Sequence, residues 1–265
     1  MITRIVVAAI FGPLIILLSY LGGWWLLGMI LLFAAIGISE YLLRSVPTRS
    51  YFLFGLTLLY VVFLILCSAL ISFSLTLLIF MTYFLLIGMI LAIRNEPPAD
   101  LFNIMIHLIW GVAYVGLLYP FVYHIRELTN TGDWLLFLFG TLWLSDSLAM
   151  WIGSAIGKRK LAPTVSPGKT IAGFIGGMTG GIIVAVILGF WRLQNNNIIN
   201  LIIAGLLVSF VGQLGDLVES CWKRSIGIKD SSSIIPGHGG VLDRFDSLLF
   251  ASPVLFLYLK YFIYN

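Results

Sequence analysis

Charged side chains are scarce in this 265-residue chain: 15 Lys and Arg with 11 Asp and Glu make up only 10% of it. Soluble domains carry about 25%, so there is too little charge here to clothe a water-facing surface. The same shortage, beside abundant apolar residues, excludes an intrinsically disordered chain, which needs the opposite composition. Cysteine is nearly missing as well: Cys67, inside an apolar run, and Cys221 are the two present. A disulfide-built scaffold is thereby excluded. No internal repeat, low-complexity segment or flexible linker divides the chain, and residues 1–265 are read as a single membrane domain. What the chain has is hydrophobicity, with 60% apolar residues and a mean hydropathy of +1.07. The expectation is an integral membrane protein, with the lipid bilayer as partner and no nucleic acid.

About 20 apolar residues cross a hydrocarbon core as a helix, the form that satisfies its own backbone polar groups where water is absent. Runs of that length start near Ile5, Trp24, Tyr51, Leu70, Leu101, Trp134, Ile171, Ile198 and Leu242, which predicts an all-α, polytopic fold of about nine transmembrane helices. The cut between Tyr51 and Ile93 is the least marked, because only Ser68, Ser72 and Ser74 suggest a turn; a hairpin of two helices fits its length better than one helix. The first run follows Met1-Ile-Thr-Arg4 and shows no small-residue cleavage site ahead of a polar region, so it is read as a retained helix. Trp24, Trp25, Tyr119, Tyr123, Trp134, Trp191 and Tyr258 fall near predicted helix ends, where interfacial aromatics belong.

Counting cations gives an orientation. With nine crossings, twelve (Arg4, Arg44, Arg49, Arg94, Lys158, Arg159, Lys160, Lys169, Lys223, Arg224, Lys229 and Arg244) share the side of the N-terminus, and three (Arg126, Arg192 and Lys260) take the other. The positive-inside rule makes the N-terminal side cytoplasmic and sends the C-terminus outward. Two longer polar connections, 157–170 and 220–241, are separated by two helices and therefore share the cytoplasmic face.

Acidic groups cost about 2.5–3.5 kcal/mol each at a membrane helix centre and call for a partner or a function. Glu40, Asp146, Asp216, Glu219, Asp243 and Asp246 lie in or at the ends of predicted helices, and five of these six come after residue 140. Residues 1–130 thus read as a helical scaffold and 140–250 as the part bearing a site. Offsets of three and four place Asp216, Glu219 and Ser220 on one helical face, and Asp243, Asp246 and Ser247 repeat the spacing. Oxygen ligands of this kind suit Mg²⁺, which takes one or two carboxylates and leaves its other positions to water and phosphates. The plainer reading is that these acids pair with Lys223, Arg224 and Arg244 to fix helix packing. Asp146, followed by Ser147, fits a buried packing acid equally well.

Residues 223–240 combine Lys223, Arg224, Lys229, three successive serines, His238, Gly239 and Gly240. Cations, hydroxyls and glycines that permit close backbone approach can hold a polyphosphate. Binding of anionic lipid headgroups would account for Arg44, Arg49 and the 158–160 cluster, but not for the glycines or His238. Ser166-Pro-Gly-Lys169-Thr170 ends like a phosphate loop, yet Pro163 stands where that motif needs glycine and no strand is expected before it. Lys169 can still offer a point charge to a phosphate. Gly173, Gly177 and Gly181 form a small-residue packing stripe, His107 and His124 read as structural, and nothing beside Cys221 activates it as a nucleophile.

The run Ser220-Cys-Trp-Lys223-Arg224, Lys229-Asp230 and Pro236-Gly-His238-Gly239-Gly240-Val-Leu-Asp243-Arg244-Phe-Asp246 closely resembles the signature of phosphatidate cytidylyltransferases (CDP-diacylglycerol synthases). Asp146 with Gly153 and Gly157, Leu161-Ala-Pro before Ser166-Pro-Gly-Lys169-Thr170, and Gly215-Asp216-Leu-Val-Glu219-Ser220 extend the likeness across residues 140–250. Two positions depart from it: Ala172 stands where relatives usually carry Glu, and Trp222 where a smaller apolar residue or Phe is common. The resemblance implies a Mg²⁺-dependent nucleotidyltransferase that moves CMP from CTP to phosphatidic acid in phospholipid biosynthesis, giving CDP-diacylglycerol and pyrophosphate. By that implication Asp216, Asp243 and Asp246 hold Mg²⁺ and a possible second cation, with Asp146 and Glu219 as further candidates. Lys169, Lys223, Arg224, Lys229 and Arg244 neutralise the phosphates, and Ser166, Ser220, Asp230, His238, Gly239 and Gly240 line the substrates. A bacterial inner membrane is the expected location, with a homodimer as one open arrangement. The rivals are a CTP-dependent lipid-alcohol kinase, a CDP-alcohol phosphotransferase, an anion transporter and a scaffold subunit without chemistry.

Overall fold

The computed structural model describes residues 2–46, 51–194, 196–235 and 239–264, with side chains from Ala9 onward. It is an all-α polytopic membrane protein. Helices α1 (Ile2–Leu21), α2 (Gly23–Ser45), α3 (Tyr51–Leu70) and α4 (Phe73–Ala92) come first. α5 (Pro98–Gly111) runs through a π-helical segment, Val112–Leu117, into α6 (Pro120–Thr129). Then come α7 (Asp133–Ile156), strands β1 (Lys160–Ala162) and β2 (Ser166–Thr170), α8 (Ile171–Trp191), α9 (Ile198–Ser225) and α10 (Leu242–Tyr258), which closes in a second π-helical turn, Leu259–Ile263. Among the described residues, eight spans are long and apolar enough to cross a membrane, counting Pro98–Thr129 as one. α1 supplies the further apolar helix, described over Ala9–Leu21.

The expected turn between the third and fourth helices falls at Ile71–Ser72, where the Ser72 hydroxyl accepts the Leu75 N–H at 3.2 Å and caps α4. The span begun by α5 is not one regular helix. Pro120 has no N–H to continue the ladder, and the preceding turn widens to π geometry. A second departure is the β1–β2 hairpin in the 157–170 connection, antiparallel with Lys160 opposite Thr170 and Ala162 opposite Ser166. Strands of three and five residues are too short for alternation to show in the sequence. Thr170 ends the hairpin and caps α8, its hydroxyl accepting the Gly173 N–H at 3.1 Å.

The glycine stripe of α8 brings α7, α8 and α9 together. A Cβ on Gly173 would stand 2.6 Å from the Ala149 carbonyl, and one on Gly177 2.7 Å from the Gln213 amide. At Gly181 and Gly205 each backbone occupies the place a side chain on the other would need. α9 packs in turn on α10. At the end of the bundle where α7 begins, Asp133 accepts from Tyr20 and from Arg192, both at 2.8 Å. Arg126 donates there to the Ser19 and Tyr20 carbonyls at 3.0 and 3.2 Å. The opposite end, where α8 and α10 start and α9 finishes, carries the sequence-predicted site.

Candidate functional site

Lys169, next to last in β2, extends over α9 and pairs with Asp216 at 2.6 Å. The Asp216 carboxylate also accepts from Ser220, one turn along α9, at 3.2 Å. Both members of the pair are about one-third exposed, so this carboxylate faces an accessible surface.

Asp243 opens α10 and is held quite differently. One oxygen accepts from the Lys223 ammonium at 2.7 Å. The other takes the Gly240 N–H at 2.8 Å, the Ser231 N–H at 2.9 Å and the Ser231 hydroxyl at 3.0 Å. Both oxygens of this carboxylate are thus engaged by donors. Close approach requires the glycines before it: Gly239 has φ +84°, and a Cβ there would stand 2.9 Å from Asp243, while one on Gly240 would collide with the Ser231 hydroxyl.

Behind these pairs lies an acidic interior. Glu219 is buried 3.4 Å from Lys223 and lies within hydrogen-bond reach of the Asp246 carboxyl, so that these two acids can share a proton. Asp246, also buried, accepts from the Ser247 N–H at 2.6 Å. Asp146 on α7 lies within electrostatic reach of Asp216 and Asp246. The hydroxyls of Tyr114, in the π-helical segment, and Tyr119 are buried without partners among the described residues, within electrostatic reach of Glu219 and Asp246. Asp146, Asp216, Glu219, Asp243 and Asp246 thus gather around the paired Lys169 and Lys223 ammoniums, a set of oxygen donors beside two cations. Among the described residues, however, no three His, Cys, Asp or Glu side chains are gathered tightly enough to hold a metal ion. Asp216 and Asp246 have capacity to spare, whereas Asp243 is spent on Lys223 and the loop.

Arg224 staples the two polar connections together, donating to the Val165 carbonyl at 3.3 Å and the Ile228 carbonyl at 3.0 Å. Lys229, Asp230 and Arg244 are exposed around the rim, Arg244 within electrostatic reach of Asp146, and Ser166 is half-buried in β2. His238 and Arg49 lie outside the described residues. Sequence reasoning missed what holds this end from α2. Glu40 is buried and accepts four hydrogen bonds from residues 231–242. Trp222 donates to the Ser45 hydroxyl at 2.8 Å and packs its ring, tilted by 30°, with its centroid 4.7 Å from that of Tyr41, which accounts for the large side chain at that position. Tyr41 in turn meets His107 at 3.1 Å, a structural contact. The signal available was Glu40 itself, an acid in an apolar helix.

Comparison with known proteins places this end in context. Phosphatidate cytidylyltransferases of Staphylococcus haemolyticus and Staphylococcus aureus are each 46% identical to the chain over 145 residues, 55% of this chain and 55% of theirs. That of Staphylococcus saprophyticus is 43% identical, again over 145 residues and 55% of each chain. The match covers about half the length of these relatives. A sequence profile of the cytidylyltransferase family covers residues 2–262, nearly the whole chain, and the protein belongs to that family.

Proposed function

We propose that the protein transfers CMP from CTP to phosphatidic acid, yielding CDP-diacylglycerol and pyrophosphate, at the cytoplasmic face of a bacterial plasma membrane. The observation that carries the reading is the gathering of Lys169, Lys223 and five carboxylates at one end of a lipid-embedded bundle, in a cytidylyltransferase-family chain. The name borne by the staphylococcal relatives supplies the substrate pair.

The chemistry suits these residues. The phosphate monoester of phosphatidate is already anionic near neutral pH. Its oxygen can attack the α-phosphorus of CTP without a strong general base, as the bond to pyrophosphate breaks. The obstacle is repulsion between two polyanions, and its remedy is positive charge held in place before the reaction. Lys169 and Lys223 stand at the centre, with Arg224, Lys229 and Arg244 around them. Phosphate oxygens that take over Lys169 would free its partner carboxylate, which links substrate entry to exposure of Asp216. Gly239 and Gly240, with His238 preceding them in the sequence, would receive the pyrophosphate.

Oxygen donors of this kind suit Mg²⁺: Asp216 and Asp246 would hold it, with Asp146 and Glu219 beside them and Asp243 only if Lys223 yields. When bound, the ion supplies charge neutralisation at the transferring phosphate. Asp243 serves in the structure as the anchor of Lys223 and of the glycine turn. Phosphatidate enters sideways with its tails in lipid, and CTP arrives from the cytoplasm.

The direct test is purified protein in detergent with labelled CTP and phosphatidic acid. CDP-diacylglycerol is expected with Mg²⁺ and is expected to vanish on chelation; no product with Mg²⁺ present would overturn the reading, and full activity with chelator would remove the metal from it.

A further inference from the structure

The carboxylate of Glu40 sits on α2, in the half of the chain that reads as scaffold, yet all its acceptor capacity goes to the site. Oε1 accepts the Ser232 hydroxyl at 2.5 Å and the Val241 N–H at 2.9 Å. Oε2 accepts the Leu242 N–H at 2.9 Å and the Ser231 hydroxyl at 3.1 Å. Val241 and Leu242 carry the first amides of α10, which no intrahelical carbonyl can satisfy. A carboxylate there meets both unsatisfied donors and the positive end of the helix. It comes here from another helix, some 200 positions earlier in the chain. The side chain is 2% exposed, so water cannot substitute for it.

The contacts of Glu40 continue into the site. The Ser231 hydroxyl lies between Glu40 and Asp243, at 3.1 and 3.0 Å, and its one proton can turn to either carboxylate. Asp243 then holds Lys223. Arg44, one turn along α2, donates to the Ser231 carbonyl at 3.2 Å, and a Cβ on Gly240 would stand 2.6 Å from Glu40. Helix α2, Ser231, the glycine turn and the first turn of α10 are therefore one hydrogen-bonded unit.

We infer that Glu40 is a positioning residue for the phosphoryl-transfer site: it fixes Ser231, Ser232 and the Val241–Leu242 start of α10 against α2 and so sets where Asp243 presents the Lys223 ammonium. The inference rests on the proposed activity. Glu40 touches no reacting atom, and its loss acts on the geometry in which bound substrate reacts rather than on substrate capture.

Glu40→Gln keeps the shape and turns one acceptor into a donor facing donors. The expected result is a kcat at least tenfold below wild type, a KM for CTP within about twofold, and faster amide exchange across 239–242. Restoration of part of the lost kcat by Glu40→Asp, which keeps both acceptors, is expected as well. A Glu40→Gln enzyme with wild-type kcat overturns the inference, and so does one that loses activity through KM alone. Should Glu40→Gln fail to fold, Ser232→Ala removes one neutral donor from the same carboxylate. A several-fold fall in kcat with an unchanged melting temperature supports the inference, and wild-type kcat overturns it. Wild-type protein that forms no CDP-diacylglycerol overturns the proposed activity instead, so the two failures are told apart by the wild-type control.

Discussion

Asp216 and Asp243 carry the same charge at the same end of the bundle, and their surroundings give them different work. Asp216 faces an accessible surface and gives up a pair worth about 0–1 kcal/mol when changed, as exposed ion pairs do. Asp216→Asn should therefore unfold at nearly the wild-type temperature while CTP turnover falls about 100-fold, the scale expected when a preorganised charge is removed from a transferring group. Asp243→Asn strips the mostly buried Lys223 of its 2.7 Å partner and turns an amide toward the Gly240 and Ser231 N–H groups. Breaking a buried pair from one side costs about 3–5 kcal/mol, so this variant should lose thermal stability as well as turnover. Melting curves in detergent beside turnover rates test the contrast: equal stability losses in both variants would remove the distinction drawn between an accessible carboxylate and a structural one.

At the scale of helices, α8 and α9 approach so closely at Gly181 and Gly205 that neither position has room for a side chain. Overpacking costs about 1–3 kcal/mol where neighbours can shift, and here the obstacle is backbone. Gly205→Leu should lower the melting temperature markedly and take activity with it. Gly28→Ala on α2, where nothing lies within 4 Å of the added carbon, should be neutral or slightly stabilising by helix propensity. A Gly205→Leu protein as stable as wild type would show that the helices can part. These elements also show what the sequence made legible. Helix positions were readable because a bilayer demands long apolar runs, and the stripe of α8 because small residues recur at helical spacing. The carboxylates were readable because charge in an apolar run is costly. The partners were not: nothing in the order of residues says that Lys169 finds Asp216, that Lys223 chooses Asp243 over making a close bond with Glu219, or that Glu40 reaches residues 231–242. Those choices are made by three-dimensional neighbours far apart in the chain. The β1–β2 hairpin and the π-helical turn ahead of Pro120 escaped for a related reason, being too short to impose a period.

Across the whole molecule, the two ends of the bundle differ in how their charges are used. At one end Asp133 ties Tyr20 and Arg192, and Arg126 is spent on the carbonyls of Ser19 and Tyr20, a clasp with its cations committed to protein. At the other, exposed Lys229 and Arg244 ring an interior lined by buried acids. The proposed activity takes its triphosphate nucleotide from the cytoplasm and so requires the second end to face inward, the orientation that the positive-inside rule predicts from the sequence. The chain carries its own reporter. Cys67 is buried at 1% exposure, whereas Cys221, on the last turns of α9 beside the site, is exposed. A membrane-impermeant thiol reagent should therefore modify Cys221 in inside-out membrane vesicles and leave it unmodified in right-side-out ones, with Cys221→Ser abolishing the signal. CTP-dependent product formation should follow the same sidedness, since both depend on access to that end. Labelling from the right-side-out surface would invert the orientation and leave the site without a supply of nucleotide, ending the proposed activity however well the residues are arranged.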